Sequence, residues 1–133
     1  MKHANGEFDV RVTPLSLAGP AEDATLGRLS IEKEFRGDLV ASGKGQMLTA
    51  MTGAEGSAAY VAIERVSGTL EGREGTFVLQ HRGTMNRGTQ EMLVTVVPDS
   101  GSAELTGIAG TLHIVVEAKQ HRYDFEYSLP PLS

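Results

Sequence analysis

The chain of 133 residues contains no cysteine and no tryptophan, and aromatic residues make up only 5% of it. The absence of cysteine excludes disulfides, thiolate metal ligands and cysteine nucleophiles. It fits a cytoplasmic protein, and the cytoplasm is the expected location. No apolar run approaches the roughly 18–20 residues that a membrane span needs. The opening "MKHANGEFDV" lacks the apolar stretch of a signal peptide. Basic residues are few, 12 against 17 acidic, and they are scattered singly, for a net charge of −5. A nucleic-acid partner wants a basic face, so none is expected, and neither is a membrane. The four histidines (His3, His81, His113 and His121) show no His-x-His or His-x-x-x-His spacing, so no metal site is expected. There is no Gly-x-Ser-x-Gly elbow and no phosphate loop leading into a helix, and no cofactor is expected.

What the chain does have is alternation with period two, punctuated by 16 glycines. "GEFDVRVTP" sets Phe8, Val10 and Val12 against Asp9, Arg11 and Thr13, and Pro14 ends the strand. "LSLAGPAEDAT" reads as a connector or a single helical turn. "LGRLSIEKEFRG" sets Leu29, Ile31 and Phe35 against Ser30, Glu32 and Glu34. Lys33 interrupts the apolar side, which points to a barrel mouth or edge. "DLVASGKGQMLTAMTG" is rich in Gly and Ala, a sign of bends or close backbone approach. "TQEMLVTVVPDSG", "TLHIVVEA" and "HRYDFEYSL" are further strands, and "SAELTGIAG" is a glycine-rich turn region. About eight strands at short spacing, without a convincing amphipathic helix, predict one all-β domain over residues 1–133, a closed barrel or a sandwich. Short connections favour consecutive antiparallel pairing.

Two hairpins assign the faces. In "YVAIERVSGTLEGREGTFVLQHRG" a two-residue loop at Gly72-Arg73 satisfies the glycine preference of a type II′ turn. That register places Glu64 directly opposite His81 and gathers Tyr60, Ala62, Glu64, Val66, Phe77, Leu79 and His81 on one face. This face is the greasier one near the turn, so it points inward. The outer face carries Val61, Ile63 and Val78, candidates for a subunit contact. In the last hairpin a loop at Lys119-Gln120 puts His121, Tyr123, Phe125 and Tyr127 inward with Leu112, Ile114 and Val116. His121 then sits at the rim.

The sharpest chemical feature is a Glu64–His81 pair inside an apolar barrel with Tyr60 on the same face. Apolar surroundings disfavour either charge alone, and proximity favours the ion pair, which makes a proton-transfer device of tunable pKa. Glu64 is the candidate base, His81 its partner and Tyr60 a hydrogen-bond donor. Val66, Phe77, Leu79, His121, Tyr123 and Tyr127 are the candidate ligand-lining residues. The competing reading is a solidly packed barrel, in which the pair only satisfies itself and the protein is a non-catalytic structural or oligomeric module. An eight-stranded barrel has room for packing or for one small ligand.

"YVAIERVSGTLEGREGTFVLQHRGTM", "VVPDSGSAELTGIAGTLHI" and "HRYDFEYSL" together resemble a bacterial family of small uncharacterised proteins, a domain of unknown function. Residues 60–129 carry most of this likeness. "SGSAELTGIAGT" is also similar to the strand-connecting turn of allene oxide cyclases and dirigent proteins. That resemblance implies an eight-stranded antiparallel β-barrel of the allene-oxide-cyclase-like type, and homo-oligomers, from dimer to tetramer. Allene oxide cyclases cyclise a fatty-acid epoxide largely by positioning it in an apolar barrel, with a glutamate polarising the substrate through water. The resemblance therefore implies a small-molecule ligand and, for an enzyme, isomerase or cyclase chemistry without a cofactor. Glu64 is an interior-facing acid in this reading but does not align with that glutamate.

Overall fold

The computed structural model describes residues 1–16 and 25–132, so most of the "LSLAGPAEDAT" connector lies outside the described residues. Eight strands follow in chain order: β1 Lys2–Leu15, β2 Leu26–Gly37, β3 Leu39–Met51, β4 Ala58–Leu70, β5 Arg73–Asn86, β6 Thr89–Val96, β7 Ala109–Glu117 and β8 Gln120–Ser128. Each pairs antiparallel with its chain neighbour, and β8 closes the barrel against β1. Closure leaves no free edge strand, and the inward residues of all eight strands form one interior. A short 3-10 turn, Ala103–Leu105, lies in the glycine-rich segment between β6 and β7.

Both hairpin registers differ from the sequence expectation, by two residues in the pairing, and for one reason. The β4–β5 loop is Glu71-Gly72, with Leu70 paired to Arg73. The β7–β8 loop is Ala118-Lys119, with Glu117 paired to Gln120. In both, the two loop residues have positive φ: 46° and 87° in the first, 47° and 70° in the second. That is the pattern of a type I′ turn, whose twist matches the strands and which takes glycine at its second position. A two-residue change in pairing keeps the side-chain parity, so every face assignment holds. The direct Glu64–His81 pairing does not. Glu64 lies opposite Leu79, and His81 lies opposite Ala62.

The interior is divided along its axis. At one end Phe77 stacks on Phe125 at 5.6 Å, Phe125 meets Tyr127 at 5.3 Å, and Phe35 meets Tyr123 edge-on at 5.7 Å. Leu39, Val66, Leu70, Leu79 and Leu112 fill the gaps, and Leu105 and Ile108 close this end like a plug. Each of these fully buried side chains contributes about 1.5–3 kcal/mol. At the other end the inward face is apolar but open. Val10, Val12, Met51, Met92 and Val116 point inward by register and are nevertheless exposed.

The closed end also ties down two phenols. Tyr123 Oη donates to the Arg36 carbonyl and accepts from the Leu39 N–H, both at 2.9 Å. Tyr127 Oη donates to the Glu71 carboxylate in the β4–β5 turn. Burial raises the pKa of Tyr123, with the Asp38 and Glu71 charges adding to it and the Leu39 hydrogen bond opposing. Burial and then the Glu71 carboxylate push Tyr127 far above its ordinary value, and burial alone raises Tyr60. These are all three tyrosines of the chain. Folding thus favours the neutral phenols. Their contribution is complete below the ordinary pKa of about 10 and is lost as pH rises through the higher folded-state values. Ultraviolet titration of the native protein should therefore show no tyrosinate near pH 10. Tyrosinate should appear together with loss of β-sheet circular dichroism. Three phenols ionising near pH 10 with the sheet signal intact would contradict this.

Candidate functional site

Three ionisable side chains meet on the inner wall between the packed end and the open end. Lys33 comes from β2, Glu64 from β4 and His81 from β5. They are 7%, 0% and 4% exposed. Glu64 Oε1 accepts from Lys33 Nζ at 3.0 Å and shares a 2.8 Å hydrogen bond with His81 Nε2. The Glu64–His81 contact is diagonal across the ladder rather than directly cross-strand, and side chains of this length span that offset. Lys33 Nζ also lies 5.0 Å from the Phe8 ring centroid and 5.9 Å from that of Phe35, so two aromatic faces share its charge.

Burial by itself would raise the Glu64 pKa. The His81 hydrogen bond and the Lys33 charge outweigh that and hold the carboxyl below its ordinary value. The second carboxylate oxygen, Oε2, is wholly buried and has no hydrogen-bond partner, the one such side-chain atom among the described residues. It lies over Gly43: a Cβ there would come within 2.0 Å of it. Gly45, opposite Glu64, brings β3 so close to β4 that a Cβ would sit 1.9 Å from the Ile63 carbonyl. The glycines of "SGKGQ" thus make the space in which a carboxylate lies flat against the barrel wall.

Lys33 was not among the candidate residues. The expectation of a mouth or edge for it is corrected: it points inward and is buried. A counter-charge on a strand two ladders away supplies the reason. The available signal was only that Lys33 sits on the apolar face of its strand and Glu64 on that of another, with nothing local to pair them.

Above the cluster, toward the open end, lies a cavity of about 220 Å³. Its wall includes Met47, Met51, Tyr60, Met85 and Met92, with Thr49 and Ala58 between them. These four are all the methionines of the chain apart from Met1. Flexible, polarisable thioethers suit an adaptable apolar site. Tyr60 is half-buried and packs across Gly83, where a Cβ would lie 2.3 Å from its ring. Met47 pairs with Ala62, and Ala62 with His81, so the histidine is two ladder pairs from that wall residue and one inward position along β5 from Gly83 of the same wall. On this side the wall is also loosely sewn, with Thr95–Thr111 the single ladder pair between β6 and β7.

The structure therefore brings Glu64 and His81 together, while Tyr60 lines the cavity one inward position further along β4 from Ala62, the residue opposite His81. Val66, Phe77, Leu79, Tyr123 and Tyr127 lie in the packed half, and the two phenols are engaged in the bonds described above. His121 is partly buried on the opposite wall, 5.2 Å from Phe8 centroid to centroid. Among the described residues no group of three or more His, Cys, Asp or Glu side chains could hold a metal ion. Among the described residues no helix is long and apolar enough to cross a membrane.

Fold and site define a class: a closed eight-stranded antiparallel barrel, solid at one end, open at the other, with a lysine–glutamate–histidine cluster between. Residues 4–127 match the family model described as "Protein of unknown function (DUF3224)", and the chain belongs to that family. A crystal structure of a DUF3224 protein of unknown function from Shewanella oneidensis MR-1 is 46% identical to it. The alignment covers 99% of each chain, with a TM-score of 0.92. No functionally curated protein matches the chain. The family and that structure support the eight-stranded barrel, and neither shows a relation to allene oxide cyclases or dirigent proteins.

Proposed function

We propose that the open half of the barrel binds one compact, mostly apolar molecule. In this reading Tyr60, His81 and Glu64 supply acid/base chemistry for a cofactor-free isomerisation or cyclisation of it. The observation that carries this is the division of the interior. Aromatic packing ends at the cluster, and beyond it lies a methionine-walled cavity of about 220 Å³ with inward apolar residues left uncovered. A barrel whose only task was to be solid would be expected to fill that end too. The roles differ from the simplest assignment. Glu64 is wholly buried and clamped by two cations or donors, so it orients His81, while His81 and Tyr60 are the groups near the ligand.

The test is a thermal-shift screen of compact apolar ketones, phenols and epoxides, with native mass spectrometry for any molecule that co-purifies. A binder at 100 times its Kd should add about 2.7 kcal/mol to the folding free energy. Ala58→Trp, which fills the cavity, should abolish that shift and leave the fold intact. No shift with any compound, and a native mass equal to that of the bare chain, would sink the reading.

The outer face supports a second reading, self-association into a homo-oligomer. Leu48, Val61, Ile63 and Leu93 are exposed on neighbouring strands, with Val61 and Ile63 at 54% each. Light scattering of Ile63→Glu beside the wild type tests it, with a smaller mass for the variant as the expected result.

A further inference from the structure

We infer that the ligand carries an acidic O–H or N–H group, as a phenol or an enol does, and that His81 Nδ1 accepts its proton. This rests on the cavity reading above and names the chemistry that the cavity floor selects. His81 Nε2 is held by Glu64 Oε1 at 2.8 Å. Among the described residues Nδ1 has no hydrogen-bond partner. It is also not among the wholly buried atoms without a partner, where Glu64 Oε2 stands alone. The small exposed fraction of this inward-facing ring therefore includes Nδ1, and His81 stands two residues along β5 from Gly83, which lines the cavity.

The carboxylate sets the tautomer. A neutral imidazole that donates Nε2–H to Glu64 presents a bare lone pair at Nδ1, an acceptor with no partner among the described residues. Charge bookkeeping points the same way. Lys33 already balances Glu64, so the buried cluster is neutral when Nδ1 is bare. A proton taken by Nδ1 adds one positive charge, and only an anion in the cavity can offset it. A ligand O–H fills both needs: its O–H bond breaks, an Nδ1–H bond forms, and the resulting oxyanion pairs with the imidazolium. The same proton, returned to carbon, completes a keto–enol shift without any co-reactant. The methionine wall holds the apolar body of the molecule, and the lone Nδ1 holds its one polar end.

Two probes of the same shape separate this inference from the reading on which it rests. 4-Nitrophenol carries the O–H and nitrobenzene does not. The wild type should bind 4-nitrophenol about tenfold more tightly, the ratio that one good hydrogen bond supplies. Its absorption should move toward that of the nitrophenolate ion. His81→Leu should bind both probes equally. Equal binding of both probes by the wild type would overturn the inference and leave the cavity reading standing. Binding of neither would overturn both. Nitrogen-15 spectra of the wild type, with labelled histidine, give a readout independent of any variant. Titration with 4-nitrophenol should shift the Nδ1 resonance of His81 and leave its Nε2 nearly in place. An unmoved Nδ1 resonance at saturation would overturn the inference even if the leucine variant failed to fold.

Discussion

Replacing Glu64 by leucine is expected to cost about 3–5 kcal/mol, because it strands a buried lysine without its counter-charge. Lys33 is buried, and among the described residues its hydrogen bond goes to Glu64 Oε1, with the Phe8 and Phe35 ring faces beside the ammonium. His81 would lose the acceptor at Nε2 in the same step. The triple variant Lys33→Met, Glu64→Leu, His81→Leu removes all three polar groups together, and should recover most of the loss. Urea unfolding reads both results as midpoint shifts at unchanged slope. A Glu64→Leu cost below about 1 kcal/mol would mean that the cluster is not a charged unit. pH supplies the second axis. Because the folded-state carboxyl sits below its ordinary value, its stabilisation is full above about pH 4.3 and is lost as pH falls through the lower value. Wild type should therefore lose stability relative to the triple variant in that acid window. Near-equal stabilities at neutral pH would show that the cluster is not kept for stability, the outcome that the ligand reading anticipates.

A single methyl group at Gly45 is expected to be nearly as damaging, about 3 kcal/mol, at the upper end of the range for overpacking. Its Cβ would lie 1.9 Å from the Ile63 carbonyl and 2.7 Å from the Glu64 Cα, both backbone atoms that move only if β3 and β4 separate. Gly43→Ala meets the Glu64 carboxylate instead, at 2.0 Å from Oε2. That side chain can yield only by giving up its Lys33 and His81 bonds. Gly43→Ala should therefore cost less than Gly45→Ala in unfolding experiments and disturb the His81 ring resonances more. Gly53→Ala, with nothing within 4 Å of the added carbon, is the control and should be nearly neutral. Equal costs at positions 45 and 53 would refute the close strand approach.

How the chain could be read in advance follows from which interactions are local. Alternation of side chains is a property of each strand by itself, so the strands, the all-β class and the inward identity of Glu64, His81 and Tyr123 were legible from sequence. Turn type was not. Glycine satisfies the first position of a II′ turn or the second of a I′ turn, and only the twist of the paired strands chose Glu71-Gly72 over Gly72-Arg73. That choice turned a direct Glu64–His81 pair into a diagonal one.

The larger share left to tertiary structure is what lies across the barrel. Lys33 and Glu64 are 31 positions apart, on strands separated by β3, and nothing local to either announces the other. Nor does any strand record its depth along the axis. Phe77, Leu79 and Val66 share a face with Tyr60, yet they fall in the packed end while Tyr60 lines the cavity. Which side chains point inward was decided by the sequence, through period two alone. Which of them meet, and which are left facing open space, was decided by closure of the ladder, because register and stagger set the height of every residue in the barrel.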